Sequence, residues 1–98
     1  MTRDEALATL RRHKAELRRQ GVARAAIFGS TARNEAGPDS DVDVLVEIDP
    51  KAEVDLYRYV GIIQFLEGLF SSPVDVANKG KLTPRVRPNA ERDAIYAF

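Results

Sequence analysis

Two aspartates separated by one residue are the part of this sequence most suited to chemistry. Asp41 and Asp43 stand in a segment where valine or isoleucine fills every second position from 42 to 48, a pattern that predicts a β-strand with one apolar face. Alternate strand residues project the same way with Cα atoms about 6.5–7 Å apart, so the two carboxylates can converge on one or two Mg²⁺ ions. Mg²⁺ prefers hard oxygen ligands and fills its other positions with water or substrate phosphate. The alternative is two solvated aspartates on an outer strand face, although aspartate is disfavoured in strands.

A third aspartate lies in a similar setting further along the chain. Asp75 stands between two valines, and this Val-Asp-Val run repeats the one around Asp43. If both valine pairs face the same layer of helices, Asp75 projects on the same sheet face as Asp41 and Asp43. Three carboxylates on one face would repel one another without a cation. A single solvated aspartate is the alternative interpretation.

A glycine–serine pair follows the first short apolar run. Gly29 lets the backbone approach a ligand closely, and Ser30 adds a hydroxyl. If the pair opens a short helix, the exposed N–H groups at the start of that helix favour phosphate. On its own, a Gly-Ser pair after a strand is usually only a turn.

Length and composition narrow the class of protein. The chain has 98 residues, 44% of them hydrophobic and 31% charged, which predicts one small folded domain over residues 1–98. The absence of cysteine excludes disulfides, thiolate metal sites and a cysteine nucleophile. A single histidine, His13, excludes a zinc site built from several histidines of one chain. No apolar run approaches about 20 residues and residues 1–25 lack a signal-peptide core, so a cytoplasmic protein without membrane segments is expected.

Charge is unevenly distributed along a neutral chain. Fifteen basic residues balance fifteen acidic ones, which argues against binding nucleic acid through bulk charge. Residues 25–50 nevertheless carry one basic and six acidic residues, a net charge of −5, while residues 1–24 carry +4 and residues 79–98 carry +3. A bound cation would explain the acidic middle, and solvation of the carboxylates is the simpler alternative.

Periodicity and turn residues predict the secondary structure. A capping box at Thr2 and Glu5 and a stop at Gly21 bound a first helix over about residues 3–20. Further helices are predicted over 52–70 and 89–98, with a possible helical turn at 30–35. Strands are predicted over 22–28, 41–49 and 73–77. This order predicts an α/β (α+β) fold with a small mixed sheet of about three strands and helices on its valine face.

The spacing of the candidate residues resembles a known signature. Gly29-Ser30, ten residues and then Asp41-Val42-Asp43 match the G-S-x10-D-x-D pattern of the polymerase-β-like nucleotidyltransferases. The runs IFGSTAR and SDVDVLV resemble the minimal nucleotidyltransferase (MNT) family in particular, over about residues 22–78. Asn34 departs from the pattern because many members have glycine there. The resemblance implies a single nucleotidyltransferase domain with a polymerase-β palm-like fold.

The resemblance also implies a reaction and roles for individual residues. The family transfers a nucleoside monophosphate, here expected to be AMP from ATP, to an acceptor hydroxyl and releases pyrophosphate. By this resemblance Asp41 and Asp43 would hold two Mg²⁺ ions, and Asp75 would bind the ion nearest the acceptor and help to activate its hydroxyl. Gly29 and Ser30 would cradle the β- and γ-phosphates, and Arg33 is a further phosphate candidate.

The partner implied by the resemblance is a protein. Minimal members are often encoded beside a HEPN-type ribonuclease toxin, which implies an antitoxin that adenylylates its toxin. The expected absence of a substrate domain agrees, because the acceptor must then bring its own binding surface. Nucleic acid is not expected as a direct partner, and Tyr57, Tyr59 and Tyr96 are interpreted as packing residues. Two alternatives stay open: a non-catalytic antitoxin that acts by complex formation, and transfer to a small molecule or an RNA end.

Overall fold

The chain folds as a mixed sheet with helices packed against it. The computed structural model describes residues 1–37 and 40–98. In chain order, the helices and strands are α1 (Arg3–Arg12), α2 (Lys14–Arg19), β1 (Val22–Ile27), α3 (Gly29–Ala32), β2 (Val42–Ile48), α4 (Leu56–Leu69), β3 (Val74–Asn78), α5 (Arg87–Asp93) and β4 (Ile95–Tyr96). Single 3₁₀ turns cover Pro50–Ala52 and Lys79–Lys81. Among the described residues, no helix combines the length and apolar composition that crossing a membrane requires.

The sheet has four strands in the order β3-β2-β1-β4, one more than the sequence predicted. Strands β2 and β3 are parallel, whereas β1 is antiparallel to both β2 and β4. The predicted closing helix over 89–98 is wrong in its second half, because α5 ends at Asp93 and Ile95 pairs with Ile27 of β1. The amide of Ala97 extends this contact by donating to the carbonyl of Ala25 at 2.8 Å. This contact pairs the otherwise free edge of β1. The pairing outweighs any local preference of residues 94–98 for a helix.

The first helix is interrupted where the sequence predicted continuity. Thr2 caps α1 as expected, accepting a hydrogen bond from the amide of Glu5 at 3.2 Å. At His13 the backbone leaves the helical region, and a ring nitrogen lies 2.8 Å from the carbonyl oxygen of Thr9. The break separates α1 from α2. Both helices still reach the core, because Leu10 and Leu17 are fully buried.

The main core lies on the valine face of the sheet, as predicted. Val42, Val44 and Val46 of β2 are buried there against residues from α1, α2 and α4, such as Leu10, Leu17, Ile62 and Leu66. A second, smaller cluster lies on the opposite face and includes Ala90 of α5, which the sequence did not predict there. Its other buried members are Ala26, Phe28, Leu45 and Leu82. Only part of that second face is therefore covered, and the rest carries the polar residues of β2 and β3.

Helix α4 begins later than the predicted 52–70. Pro50–Ala52 forms a 3₁₀ turn and Glu53 adopts a left-handed conformation (φ 50°), so the helix begins after Asp55. The Asp55 side chain caps it by accepting from the amide of Arg58 at 2.8 Å. The interpretation of Tyr57 as a packing residue is wrong, because this side chain at the first turn of α4 is 90% exposed.

Candidate active site

Two of the predicted carboxylates face each other across the parallel strands. Asp43 of β2 is paired in register with Asp75 of β3. Both side chains leave the sheet on the face opposite the helical core, because the valines on either side of Asp43 are buried in that core. Asp41 immediately precedes β2 and is exposed, whereas Asp43 is half-buried. The alternation in the sequence and the parallel pairing thus bring these three aspartates to one region of the sheet.

The electrostatic environment of Asp43 favours a bound cation. Partial burial raises the pKa of the Asp43 carboxyl, and the negative charges of Asp75 and Asp41 raise it further. Hydrogen bonds from Ser30 and Thr31 act in the opposite direction. Among residues 1–37 and 40–98, no lysine or arginine forms an ion pair with any of the three aspartates. A cation in this region would therefore relieve a repulsion that no basic side chain in the described part of the protein offsets.

The glycine–serine turn touches the same carboxylate. Gly29 begins α3 one residue after the end of β1 and has a positive φ of 58°. A Cβ atom added at Gly29 would lie 2.8 Å from Oδ2 of Asp43, so a larger residue cannot be placed there without displacing the carboxylate. The hydroxyl of Ser30 lies 3.5 Å from the same oxygen. Gly29 is required both for its backbone conformation and for close approach to Asp43.

Thr31 fixes the position of Asp43, and the sequence analysis missed it. Its side chain is 1% exposed, and its hydroxyl oxygen accepts a hydrogen bond from the amide of Asp43 at 3.0 Å. The amide of Phe28 donates in turn to the carbonyl of Asp43 at 3.1 Å. The backbone of Asp43 is thus held on both sides by the segment around the turn. No local pattern marks Thr31, because its partner is twelve residues away and the contact depends on how α3 packs on β2.

Arg33 lies beside the turn, but its guanidinium is engaged by two carboxylates. One terminal nitrogen is 2.5 Å from Oδ2 of Asp93 in α5, and Nε is 3.1 Å from Oε2 of Glu35. Arg92 also forms an ion pair with Asp93. Both arginines lower the pKa of the Asp93 carboxyl, and Arg92 has the larger effect. The predicted role of Arg33 in phosphate binding stays a prediction. Asp93 was missed, because nothing in the sequence connects α5 with residues 29–33.

The residues of the site suit a hard divalent cation. Within the described ranges, no three carboxylate or imidazole groups already converge on a single point. Asp41, Asp43 and Asp75 nevertheless supply carboxylate oxygens only, the donor type that Mg²⁺ prefers. The repulsion that helps to raise the pKa of Asp43 and the close approach of Gly29 to its carboxylate both fit such a cation.

A cleft adjoins the third aspartate. It has a volume of about 740 Å³ and is lined by residues 75–78 of β3 and by mostly apolar residues from the segments before and after it, Phe28 among them. Asp41 and Asp43 do not line it. Asp75 therefore stands between the carboxylates of β2 and an open, largely apolar space.

This geometry defines a class of enzyme, and comparison with known proteins identifies the family. A turn that presents N–H groups and a hydroxyl beside strand carboxylates suits the transfer of a phosphate-linked group. The family model described as "Nucleotidyltransferase domain" matches residues 10–97. The chain belongs to this family, and it is a nucleotidyltransferase.

Individual relatives agree with this assignment. A protein adenylyltransferase named MntA from Thermococcus cleftensis is 35% identical over 97 residues, which cover 98% of this chain and 96% of that protein. A solved structure described as a candidate minimal nucleotidyltransferase has a TM-score of 0.78 and 34% identity, and the match covers 97% of this chain and 95% of that one. The predicted resemblance to the minimal nucleotidyltransferases is therefore confirmed.

A more distant structure shares the fold. A toxin–antitoxin structure with AMP-PNP matches with a TM-score of 0.69 and 16% identity, covering 90% of this chain and 72% of that one. At this identity the likeness establishes the architecture of the sheet and helices. The mixed α/β fold and the nucleotidyltransferase architecture predicted from the sequence are confirmed.

Proposed function

We propose that this chain is a Mg²⁺-dependent protein adenylyltransferase that transfers AMP from ATP to a hydroxyl of a HEPN-type toxin and thereby acts as its antitoxin. One observation carries the proposal: the half-buried carboxylate of Asp43 faces Asp75 in register and touches the Gly29–Ser30 turn. The name of the Thermococcus cleftensis relative supports adenylyl transfer to a protein. The toxin–antitoxin structure with AMP-PNP supports the nucleotide and the kind of partner.

The residues of the chain have distinct tasks in this reaction. Backbone N–H groups at the turn and the hydroxyl of Ser30 bind oxygens of the β- and γ-phosphates. Asp41, Asp43 and Asp75 would hold two Mg²⁺ ions. When bound, Mg²⁺ neutralises phosphate charge and lowers the pKa of the acceptor hydroxyl. Thr31 keeps Asp43 in place through the hydrogen bond to its amide.

The transfer itself makes and breaks one bond at the α-phosphorus of ATP. The acceptor oxygen forms a bond to this phosphorus, and the bond to the bridging oxygen breaks, so that pyrophosphate leaves. The hydroxyl proton passes to a base on the acceptor side. Asp75 is suited to receive or guide it, because it is exposed and lines the adjoining cleft. The work of the protein is to position the reactants and to stabilise charge.

The decisive experiment measures label transfer. The purified chain is incubated with ATP labelled at the α-phosphate, MgCl₂ and the HEPN-type toxin encoded next to it. Wild-type protein is expected to label the toxin, and Asp43→Asn and Asp75→Asn are expected to lose at least 100-fold in rate, since each removes a ligand of the metal region. Glu67→Gln is the matched control, because it removes one exposed carboxylate on α4 that forms no ion pair among the described residues.

The outcome also separates catalysis from simple binding. If wild-type protein leaves the toxin unlabelled with every nucleoside triphosphate and with Mg²⁺ or Mn²⁺, the proposed transfer is wrong. If Asp41→Asn with Asp43→Asn still protects cells from the toxin as fully as wild type, neutralisation occurs by complex formation. Loss of protection with an intact complex would support the chemical mechanism.

A further inference from the structure

We propose that the cleft beside Asp75 is where the acceptor protein docks, as an extended polypeptide segment that lies along the free edge of β3. This inference rests on the proposed function, because it concerns the second substrate of the same site. It assigns the recognition of the acceptor to a surface that lies outside the signature motifs.

The cleft has the size and lining of a binding site. Its volume of about 740 Å³ lies within the range of about 300–1,000 Å³ that is usual for ligand pockets. Four segments line it: Phe28 before the Gly29–Ser30 turn, the region from the end of β2 to the first turns of α4, residues 75–78 of β3, and the segment that precedes α5. Most of the lining is apolar, and examples are Val54, Leu56, Tyr59, Leu82 and Val86. Because Asp75 borders the same space, a side chain that enters it can bring its hydroxyl to the carboxylates.

The backbone of β3 points to a polypeptide as the occupant. Strand β3 is at the end of the sheet order, so among the described residues it pairs with β2 alone. The amide of Val42 donates to the carbonyl of Pro73 at 2.8 Å, which directs the backbone of alternate residues of β3 toward β2 and that of the others outward. Outward N–H and C=O groups on an edge strand are a template for an added strand. A polypeptide can satisfy them in sequence along the cleft.

Exposed apolar side chains continue this surface beyond the cleft. Leu56 is 73% exposed, Tyr57 90% and Val60 42%, all in the first turns of α4. Leu56 lines the cleft, and Val60 shares its face of the helix because it lies four residues further on. In the described part of the chain only Ile95, on β4 at the far edge of the sheet, is a comparably exposed large apolar residue. Such concentration of apolar surface beside a free strand edge is typical of a protein-binding surface.

The charges in the cleft do not fit a polyanion. Its charged lining residues are Asp55, Asp75 and Lys81, a net charge of −1 from two carboxylates and one ammonium. RNA binding depends on neutralising phosphates with basic side chains, and the lining offers one. A largely uncharged peptide segment with apolar side chains on either side of its hydroxyl-bearing residue fits both the lining and the strand edge.

The test compares recognition of the toxin with recognition of ATP. Leu56→Ser and Val60→Ser change exposed side chains on the cleft side of α4, and Ile95→Ser is the control at the opposite edge; circular dichroism confirms that each variant is folded. The rate of toxin labelling is measured against toxin concentration and against ATP concentration. We expect the KM for the toxin to rise about tenfold in the two α4 variants, with KM for ATP and kcat unchanged. The control is expected to behave as wild type.

Several outcomes would overturn the inference while leaving the transfer reaction intact. Unchanged KM for the toxin in both variants would show that the acceptor docks elsewhere. A raised KM for ATP instead would assign the cleft to the nucleoside. A wild-type dimer in light scattering that both variants convert to monomer would assign the surface to a second copy of the chain.

Direct binding separates this inference from the proposed function. The toxin is titrated into the Asp43→Asn variant by calorimetry, with and without the additional Leu56→Ser change. Loss of binding on the second change supports the docking surface even if wild-type protein transfers no label. Equal binding by both proteins overturns the docking surface even if the transfer reaction is established.

Discussion

Arg33, which follows the Gly29–Ser30 turn, forms an ion pair with Asp93 of α5 across sixty residues of sequence. The guanidinium nitrogen and the carboxylate oxygen are 2.5 Å apart, and the Asp93 side chain is only 9% exposed. Asp93 therefore has little access to solvent and has Arg33 and Arg92 as its cationic partners. This pair joins α5, which packs on the site face of the sheet, to the turn that approaches Asp43.

The ion pair leads to a charge-swap prediction. Arg33→Asp and Asp93→Arg should each lower the affinity for ATP, because each places like charges together beside the turn and displaces α5. The double variant Arg33→Asp with Asp93→Arg should recover most of that affinity if the pair acts by positioning the turn. Calorimetric titration with a non-hydrolysable ATP analogue and Mg²⁺ measures the effect.

The same titration discriminates the two possible roles of Arg33. If Arg33 binds phosphate directly, the double variant will remain as weak as Arg33→Asp alone, because the phosphate then meets an aspartate. Arg85→Asp is the control, since it reverses a charge on an exposed residue outside the turn. A comparable loss in that control would show that the effect is one of overall charge.

Gly29 is predicted to be the least replaceable glycine near the site. Gly29→Ala should destabilise the fold by about 1–3 kcal/mol because of its positive φ. It should also abolish label transfer, because the added Cβ would lie 2.8 Å from the Asp43 carboxylate. Gly61→Ala is the control: nothing lies within 4 Å of its Cβ position in α4, so we expect a gain of about 0.5–1 kcal/mol. Urea denaturation and the labelling assay measure both; an active Gly29→Ala variant would contradict the close approach.

Thr31 is predicted to act through the backbone of Asp43. Thr31→Val keeps the shape but leaves the buried amide of Asp43 without its acceptor, so we expect a loss of about 1–3 kcal/mol in unfolding free energy and slower transfer. Thr31→Ser retains the hydroxyl and should cost about 1 kcal/mol through the lost methyl group, with transfer close to wild type. If the two variants transfer label equally slowly, packing rather than the hydrogen bond is what matters at this position.

Asp43 is predicted to reduce the stability of the metal-free protein. Its folded pKa is raised above 3.8, so its ionised form is less favourable in the folded state than in the unfolded state. The contribution of this group to stability is present at acid pH and is lost as pH rises through the raised pKa. In EDTA at pH 7, Asp43→Asn should therefore have a higher Tm than wild type, and the difference should shrink as the pH falls toward 3.8.

Magnesium provides the complementary measurement. MgCl₂ should raise the Tm of wild-type protein, because a ligand that binds only the folded state stabilises it. The Tm of Asp43→Asn should respond much less. An Asp43→Asn variant that melts below wild type in EDTA would contradict the repulsion among the three aspartates.

The side of β2 that packs against the core could be predicted from the sequence, because it depends on a local pattern. Alternation between valine and polar residues places Asp43 away from the core, and the matching run around Asp75 leads to the same face. The break at His13 and strand β4 could not be predicted. Neither has a proline, a glycine or a periodic pattern to mark it, and β4 consists of two residues whose partner strand lies about seventy residues earlier.

The contacts of Thr31 and Asp93 likewise could not be predicted from the sequence. Both residues are ordinary in the sequence, and each gains its role from an element that packs against it. The signature residues could be found from spacing alone. Thr31 and Asp93, which support them, could be identified only from the packing of α3 on β2 and of α5 on α3. Local patterns thus predict the candidate residues of this site better than the residues that support them.

Because β3 and β4 lie at opposite edges of the sheet, β4 offers an attachment point away from β3. The two strands are three strand spacings apart, about 14 Å. Because the chain contains no cysteine, Ile95→Cys on β4 would introduce a single thiol for a fluorophore or a surface tether. A chain immobilised in this way would keep Asp75 and the free edge of β3 on the side away from the tether, so that binding of a toxin to that edge can be tested in real time.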